Sequence, residues 1–426
     1  MALGGSADIH ARGGPRVARA ADRSLPPLLA LLLLALMTSV TAVGVLTAVL
    51  GLASLLRLAD PALRARSRFP LAPPVAALAV VTLLSSLAAT NRSVALFASK
   101  DLLSLILFFA AVSGFASGDQ IRRALAWLYG AVAVVSVYAM LQTWMCTSAG
   151  EAPEWVWWAL KLRAEKCRQL GIEPFRAKGF FSIYMTLGGS LIVSLALLAA
   201  ELALGSRRRA GWLLAPGALG LTTLGLTYVR NAWLGFAAAI GIVVLLTRRL
   251  ALLVPLGLAV VLALSVPSPL RTKLLSVFDP TSPSASERFY FWDAGLRMVK
   301  DAPLLGLGPG SVRLYYPDYK HPDERRPRTG HLHNNLVQIA AERGLLGLAA
   351  WLWIWVAFLI RSVRIYGQLP RSRADDRALV AGSVAAVIGF LVAGLFEYNF
   401  GDSEVIGLLW VVMAFPFVVA DRPART

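Results

Sequence analysis

The feature that most constrains this chain is a series of apolar runs, each long enough to cross a bilayer, separated by arginine-bearing connections. A helix needs about 20 mostly apolar residues to cross roughly 30 Å of hydrocarbon. Only 15% of the residues are charged, well below the roughly 25% of ordinary globular domains. The sequence therefore predicts an all-α polytopic membrane protein. It argues against a cytosolic enzyme, a secreted disulfide scaffold and a disordered chain.

The apolar runs predict about twelve transmembrane helices. The first run, residues 26–58, is too long for one upright helix, so we divide it near Ser39–Thr41. Because this run continues past a signal-peptide-like stretch, we expect a retained signal anchor. The other predicted spans are 69–89, 95–117, 122–145, 180–204, 210–228, 231–247, 250–267, 344–362, 377–396 and 403–420.

The arginines predict the orientation of these spans. Most of them lie in connections that face one side, whereas the short connections of the other side hold only Arg92 and Arg230. Cytoplasmic loops of membrane proteins are enriched in Lys and Arg. We therefore expect both termini in the cytoplasm and two long outside loops, 146–179 and 268–343. The predicted regions are a membrane bundle 1–267, a periplasmic loop domain 268–343 and C-terminal membrane helices 344–426.

The two long outside loops are basic, and the net charge of the chain is +18. A basic surface outside the membrane indicates an anionic ligand there, and lipid headgroups are the alternative. The first loop holds the only cysteines, Cys146 and Cys167, and an oxidising compartment would permit a disulfide between them. Between them, the three tryptophans of residues 155–158 are typical of a helix at the membrane interface.

The second long loop has a readable local structure. Ser284 or Ser286 could cap a helix that runs to about Lys300, and Gly306–Gly310 reads as a structural turn. A second helix is predicted to start near His331 and to lead into the next span.

Histidines in the second long loop are candidate general bases, because their ordinary pKa lies near neutral pH. His321, His331 and His333 share this property, so chemistry alone does not choose among them. The pair His331 and His333 could grip a metal ion, but the nearby carboxylates have no recognised ligand spacing. We therefore predict no metal and no cofactor.

Arg230 stands in a tight connection between two apolar runs. Ionisable groups at such a depth usually mark a substrate path, and an arginine that snorkels to the interface is the alternative. Arg176 and Lys178 stand at the start of another span with a similar setting.

Several stretches together resemble the O-antigen ligase and polymerase superfamily. His333–Gly347 resembles its HN-x4-Q-x3-E-x-G-x2-G signature, and Glu287–Trp292 with Pro303–Gly310 resembles the preceding R-x3-W…PLLGxGxG stretch. Arg230–Leu234 is similar to its short R-x2-W-L connection, and Phe396–Asp402 to the loop before its last helix. These matches keep their order along the chain, whereas the first 145 residues match only as apolar helices.

The resemblance implies a GT-C-like, metal-independent membrane glycosyltransferase. Such proteins transfer a glycan from undecaprenyl diphosphate to an acceptor hydroxyl, and a single direct attack would invert the anomeric carbon. His333 then matches the catalytic histidine, and Arg230 and Arg288 match the arginines that hold the diphosphate. The further candidates for supporting roles are Arg176, Lys178, Asn334, Glu342 and His331. Of these, His331 is an addition to the signature, and we assign it no role.

The acceptor is not fixed by the sequence. The favoured function is an O-antigen ligase of the bacterial inner membrane, which uses lipid A–core oligosaccharide as acceptor and has its active site facing the periplasm. An O-antigen polymerase and a protein O-oligosaccharyltransferase would use the same donor. A transporter or lipid flippase is the alternative from another class, although such proteins usually show internal repeats. The predicted partners are the lipid-linked glycan donor, the glycan acceptor and the bilayer, without nucleic acid.

Overall fold

The structure of the protein is a computed structural model that describes residues 6–148, 154–160, 167, 175–265, 268–275, 283–324 and 326–420. Within these residues the regular secondary structure is entirely helical. The first ten helices are α1 Ser6–Thr38, α2 Val40–Arg57, α3 Pro61–Ala65, α4 Ala72–Ala88, α5 Arg92–Ala98, α6 Ile106–Gly114, α7 Gly118–Ser148, α8 Glu154–Ala159, α9 Tyr184–Leu204 and α10 Arg207–Leu226. The others are α11 Arg230–Thr247, α12 Leu253–Ser265, α13 Pro269–Leu275, α14 Pro283–Asp301, α15 Val312–Tyr319, α16 Asn335–Gln368, α17 Ala374–Ala393 and α18 Ser403–Ala420.

The described residues contain nine helices that are long and apolar enough to cross a membrane. The 3₁₀ segment Ser99–Leu105 joins α5 and α6 into one of these nine. A tenth span is possible if α12 and α13, which meet at a bend of 111°, count as one. Two shorter apolar helices, α4 and residues 210–226 of α10, bring the total to the twelve predicted segments. The all-α polytopic class is confirmed, and crossing by the bent pair and the two shorter helices stays a prediction.

The predicted division of the first apolar run occurs at Ser39. Its backbone is extended, with φ of −156°, so α1 ends at Thr38 and α2 begins at Val40. The Ser39 hydroxyl accepts a hydrogen bond from the amide of Ala42 at 3.3 Å. This side chain therefore satisfies a donor that the start of α2 would otherwise leave unpaired, and α1 and α2 pack against each other.

Helices α9, α17 and α18 form the centre of the bundle. Within the most apolar window of each helix, 83% of the residues are buried in α9 and 78% in α17 and α18, against 28% in α2. Helix α9 packs against both α11 and α17. The residues that begin α9 and α11, and those that follow α17, are therefore held on a rigid support.

The predicted loop domain contains α14 and α15, which share a small core of their own with the start of α16. Phe291 and Met298 of α14, Tyr316 of α15 and Leu332 are buried together there. The predicted helix to about Lys300 is found as α14, which begins at Pro283, so Ser286 lies inside the helix and does not cap it. The side chain of Ser284 lies outside the described residues. The three-part division of the chain stays a prediction.

The predicted start of the second loop helix was wrong by four residues. Helix α16 begins at Asn335, and His331–Asn334 precede it. His333 has a left-handed backbone, with φ of +51°, which a helix does not admit. Asn334 then caps the helix, because its Oδ1 atom accepts hydrogen bonds from the amides of Leu336 at 2.8 Å and Val337 at 3.1 Å.

Candidate active site

His333 lies directly before α16, and its ring has a fixed place. The ring stacks on Phe291 of α14, with centroids 5.4 Å apart and planes inclined by 23°. Its Nδ1 atom is 3.0 Å from Oε2 of Glu397, and its side chain keeps 17% exposure. The stacking and the hydrogen bond define the orientation of the imidazole, while part of it remains accessible to a substrate.

The loop that carries Glu397 is fastened to the start of α16. The Nδ2 group of Asn334 donates to the carbonyl of Leu395 at 2.9 Å. The amide of Asn335 donates to the carbonyl of Gly394 at 2.8 Å, and its side-chain Nδ2 donates to Oδ1 of Asn399 at 2.7 Å. Asn334, predicted as a supporting site residue, thus caps α16 and holds the loop of Glu397 beside His333.

Glu397 is a buried carboxylate that faces two imidazoles. Its second oxygen, Oε1, is 3.4 Å from Nδ1 of His331, and the two histidine rings are 4.2 Å apart. Burial alone would raise the pKa of Glu397, but the hydrogen bond with His333 and the charges of both imidazoles lower it below its ordinary value. The carboxylate is therefore ionised at neutral pH, which favours a proton on the facing nitrogen of His333.

His331 lies beside Glu397 and His333, although we assigned it no role from the sequence. Burial lowers its pKa, and the charge of Glu397 only partly opposes this effect. Leu332, between the two histidines, points the other way and is fully buried in the small core of the loop helices. His331, His333 and Glu397 each offer a ligand atom, and these atoms all lie within 4.8 Å of one another.

Arg288 of α14 approaches the same loop. Its Nε atom donates to the carbonyl of Phe396 at 3.1 Å, one residue before Glu397. Burial lowers the pKa of Arg288, the charge of Glu397 raises it, and the charge of Arg230 lowers it again. Arg288 is therefore a neighbour both of Arg230 and of the Glu397–His333 pair, although these residues come from four separate segments of the chain.

Arg230 is the first residue of α11, at the helix end that favours anions. Three residues, 227–229, connect α10 to α11. Tyr228 makes this tight turn with a left-handed backbone, with φ of +52°. The amide of Tyr228 donates to the carbonyl of Gly225 at 3.1 Å, which closes this turn. Arg230 is half-buried at the junction of the two helices.

Arg176 and Lys178 lie in the segment that leads into α9. The guanidinium of Arg176 donates to the hydroxyl of Tyr184 at 2.9 Å, and Tyr184 is near enough to Arg288 to influence its pKa. Ala177 donates to the carbonyl of Leu226, near the start of α11. Arg176 is therefore linked to the site through Tyr184, and Lys178 is a half-buried residue of the same segment.

Glu342, predicted as a supporting residue, is engaged elsewhere. Its Oε1 atom accepts from Nε2 of Gln338 at 2.8 Å and from the amide of Gly310 at 3.0 Å, and Oε2 pairs with Arg343 at 3.0 Å. Two residues later Gly344 breaks α16, with φ of +68°. We call Gln338, Glu342, Arg343 and Gly344, with Gly310, the turn clamp.

The contacts of the turn clamp explain why glycine occupies position 344, opposite the turn at Gly306–Gly310. The predicted turn at Gly306–Gly310 packs against the break in α16, where the amide of Leu345 donates to the carbonyl of Pro303 at 2.8 Å. A Cβ atom on Gly344 would lie 2.1 Å from the carbonyl oxygen of Leu304. The turn and the helix therefore require a residue without a side chain at position 344.

Sequence reasoning did not single out Glu397 or Asp402 as site residues. Glu397 and His333 are 64 residues apart, and a carboxylate in a loop has no periodicity that would reveal its partner. Burial and the charges of Glu397 and Glu404 raise the pKa of Asp402 to about 7. Thr186 of α9 donates to Asp402 at 3.4 Å. The stretch 396–402 that resembles the family loop was the available signal.

Cys146 and Cys167 form a disulfide, with Cα atoms 5.1 Å apart. The bridge packs with Trp157, which is buried, whereas Trp155 and Trp158 are 70% and 83% exposed. Two of the three tryptophans thus present their rings at the surface of α8. Their predicted place at a membrane interface stays a prediction.

The arrangement can accept a proton from a hydroxyl and bind an anion. When Nδ1 of His333 carries its proton and donates to Glu397, the lone pair lies on Nε2 and can accept a proton. Arg288 contacts the loop of Glu397 and interacts with the charge of Arg230, and guanidinium binds phosphate through paired hydrogen bonds. A substrate with a reacting hydroxyl beside a phosphate leaving group fits these groups.

Comparison with known proteins connects this site to a family. Residues 215–352 match the family model described as O-Antigen ligase. This region holds Arg230, Arg288 and His333. The resemblance to the O-antigen ligase family is thereby confirmed.

Three relatives named "Putative polysaccharide ligase" come from Rickettsia species. The R. conorii protein is 26% identical over 261 residues, which is 57% of this chain and 60% of the relative. The R. typhi protein is 26% identical over 148 residues, and the R. prowazekii protein is 25% identical over 146 residues. Each of these two matches covers 33% of this chain and 34% of the relative. The chain therefore spans less than two thirds of each relative's length.

Proposed function

We propose that this chain, whose residues 215–352 match the family model described as O-Antigen ligase, transfers a glycan from undecaprenyl diphosphate to a hydroxyl of lipid A–core oligosaccharide. The observation that supports the proposal is the position of Arg288, which donates to the carbonyl of Phe396 beside the hydrogen-bonded pair of His333 and Glu397 and interacts with the charges of Glu397 and Arg230. The names of the family and of the relatives favour a ligase among enzymes that use such a donor.

The arginines act on the leaving group. Negative charge grows on the diphosphate oxygen as its bond to the anomeric carbon breaks, and preformed donors stabilise that charge most in the transition state. Arg288 is held by the carbonyl of Phe396 and Arg230 by the start of α11. Since guanidinium binds phosphate bidentately, the two residues take the place of a divalent metal, and the transfer needs no metal ion.

His333 acts on the acceptor. Its Nε2 atom takes the hydroxyl proton while the hydroxyl oxygen attacks the anomeric carbon from the face opposite the phosphate. One carbon–oxygen bond forms, one breaks, and undecaprenyl diphosphate leaves with the bonding pair. This single displacement inverts the anomeric carbon. Glu397 keeps the proton on Nδ1 and stabilises the imidazolium that forms.

The membrane supplies the setting of the reaction. The lipid tail of the donor needs an apolar groove between helices, and the helices around α9 are apolar enough to cross a bilayer. We place the protein in the bacterial inner membrane with both termini in the cytoplasm, because the arginine distribution follows the positive-inside rule. The site then faces the periplasm, and the fold belongs to the GT-C-like membrane enzymes.

The test is reconstitution of the transfer. Purified full-length protein in detergent with EDTA receives undecaprenyl-diphosphate glycan and lipid A–core, and the products are separated on a gel. His333→Ala is compared with His321→Ala, which removes an imidazole paired with Asp323 in the same loop region. We expect a ladder on lipid A–core, a loss of about 10²-fold or more in rate for His333→Ala, and little change for His321→Ala.

Each alternative has its own product. Longer glycans that remain on the undecaprenyl carrier would make the chain a polymerase, and glycan on a protein acceptor would make it an oligosaccharyltransferase. Equal activity of His333→Ala and the wild type would refute the role of His333. Movement of intact donor across vesicles without any transfer would instead make the protein a flippase.

A further inference from the structure

His331, His333 and Glu397 place three potential metal-ligand atoms close together. The proposed transfer reaction does not require these atoms to bind a metal. Nδ1 of His333 lies 3.0 Å from Oε2 of Glu397, and Nδ1 of His331 lies 3.4 Å from the other carboxylate oxygen, Oε1. In a tetrahedral zinc site with bonds of roughly 2.0–2.1 Å, two ligand atoms lie about 3.4 Å apart. All three ligand atoms lie within 4.8 Å of one another, so only a small contraction would surround one ion.

The surrounding structure holds these ligands before any ion arrives. His333 stacks on Phe291, Leu332 between the two histidines is buried in the small core, and the two imidazole rings lie 4.2 Å apart. The hydroxyl of Thr329 donates to the carbonyl of His331 at 2.8 Å, which steadies that end of the segment. Prior ordering of this kind reduces the entropy cost of binding.

The ligand set also determines which ions fit. Two imidazoles and one carboxylate suit Zn²⁺, Cu²⁺, Ni²⁺ or Co²⁺, whereas Mg²⁺ and Ca²⁺ prefer oxygen ligands alone. The positive charge of Arg288, close to Glu397, repels any cation. It excludes weakly bound hard ions more effectively than ions that make strong bonds to imidazole nitrogen. His331 keeps 31% exposure of its side chain, so water can fill a fourth position.

We propose that His331, His333 and Glu397 form a transition-metal site, best suited to Zn²⁺, whose occupation switches the transfer reaction off. The inhibitory part rests on the proposed function, because it concerns the proton-accepting nitrogen of His333. An ion bound to Nε2 takes the lone pair directly. An ion bound to Nδ1 displaces the proton there, so that Nε2 must carry it. In both cases His333 cannot accept the proton of the acceptor hydroxyl.

Direct metal binding tests the site without reference to activity. Tag-free full-length protein in detergent is titrated with Co²⁺, whose visible absorption reports its coordination, and with Zn²⁺ by calorimetry. His331→Ala is the principal variant, and His331→Gln replaces it if the alanine variant does not fold. His321→Ala is the matched control, because His321 pairs with Asp323 and belongs to no group of three candidate ligands in the part of the chain that the structure describes. Mg²⁺ serves as the hard-ion control.

We expect one Zn²⁺ per chain and a weakening of at least about tenfold in His331→Ala, since even loss of a ligand's hydrogen-bond partner has that effect. His321→Ala should bind like the wild type. Binding that is equally weak in the wild type and in His331→Ala overturns the metal site, as does equal preference for Mg²⁺.

A transfer assay then tests the inhibitory part. Zn²⁺ should stop transfer by the wild type at concentrations that fill the site, and His331→Ala, compared with its own rate in EDTA, should need at least about tenfold more Zn²⁺ for the same fractional inhibition. Zn²⁺ binding with unchanged transfer overturns the inhibition but leaves the site. Transfer that is lost in EDTA and restored by Zn²⁺ overturns both the inhibition and the metal-independent reaction. Zn²⁺ binding by a protein that transfers no glycan in EDTA or in Zn²⁺ overturns the proposed function alone.

Discussion

Two buried glutamates of this protein have opposite surroundings. Glu342 accepts hydrogen bonds from a glutamine, an arginine and a backbone amide, so that its carboxylate is enclosed by fixed donors of the turn clamp. Glu397 faces the rings of His331 and His333, which keep 31% and 17% exposure. The first carboxylate joins a turn to a helix, whereas the second orients groups that a substrate can reach.

The comparison shows that burial of an acid does not distinguish structure from chemistry, and that its partners do. Arginine and backbone amides remain hydrogen-bond donors at neutral pH, so the hydrogen bonds that Glu342 accepts have a single proton arrangement. Imidazole has two nitrogens and a movable proton, so the bonds of Glu397 determine which nitrogen of His333 is basic. Substitution of the two glutamates should therefore affect different measurements.

The largest effect on transfer is expected for Glu397→Gln. The glutamine amide can donate to Nδ1 of His333, which fixes the proton on Nε2 and removes the base. We expect the transfer rate to fall as far as in His333→Ala, by about 10²-fold or more, while the melting temperature changes little. Glu397→Ala should lose less, because it does not impose the wrong tautomer. A glutamine variant that is faster than the alanine variant would contradict this reason.

Arg288→Gln should follow, with a loss of about 10²-fold in transfer rate. The loss belongs to the chemical step, because the guanidinium meets charge that develops as the sugar–phosphate bond breaks. The measurement is a single-turnover rate at saturating donor. Arg297→Gln is the control on the same helix, since Arg297 is 43% exposed and pairs with Asp293. Similar losses for both arginines would point to damage to α14.

A smaller loss is expected for Tyr184→Phe, which removes the hydroxyl that accepts from Arg176. Because Arg176 acts through this hydroxyl beside Arg288, we expect roughly a tenfold loss in transfer rate, within the range of positioning effects. Arg176→Gln should give a similar loss, and the double variant should be no slower than either single variant. Multiplying losses would mean that Arg176 contacts the donor independently.

Glu342→Gln should leave the transfer rate per folded molecule nearly unchanged and should lower stability instead. The variant loses the charge that pairs with Arg343 in a buried place, at a cost of about 1–3 kcal/mol in the free energy of unfolding. Thermal unfolding in detergent measures it. Glu287→Gln, at a more exposed pair with Arg326, should unfold close to the wild type. A Glu342→Gln variant that transfers slowly but unfolds like the wild type would contradict the structural role of Glu342.

The sequence predicted those parts of the molecule that the bilayer or the backbone constrains strongly. The helical segments follow from long apolar runs, and the division at Ser39 follows from a run too long for one helix. Arg230 drew attention because a charge between two apolar runs is costly. His333 could be chosen among three histidines only through the family resemblance, because its chemistry is not distinctive by itself.

The rest could not be predicted because it depends on contacts between distant segments. The pairing of Glu397 with His333 requires α16 and α17 to pack before either residue has its partner. The start of α16 was misplaced because the left-handed backbone of His333 has no signal in residue type. The family signature made Glu342 a candidate supporting residue, but it gave no sign of the partners that Glu342 has in the turn clamp.

The position of Glu397 so late in the chain has a consequence for biosynthesis. Arg230, Arg288 and His333 are synthesised first, and the partner of His333 follows only after α17. A nascent chain that ends before Phe396 would hold both arginines and lack both the carboxylate and the carbonyl that positions Arg288. If the proposed function holds, incomplete products of translation should therefore be unable to consume the lipid-linked donor.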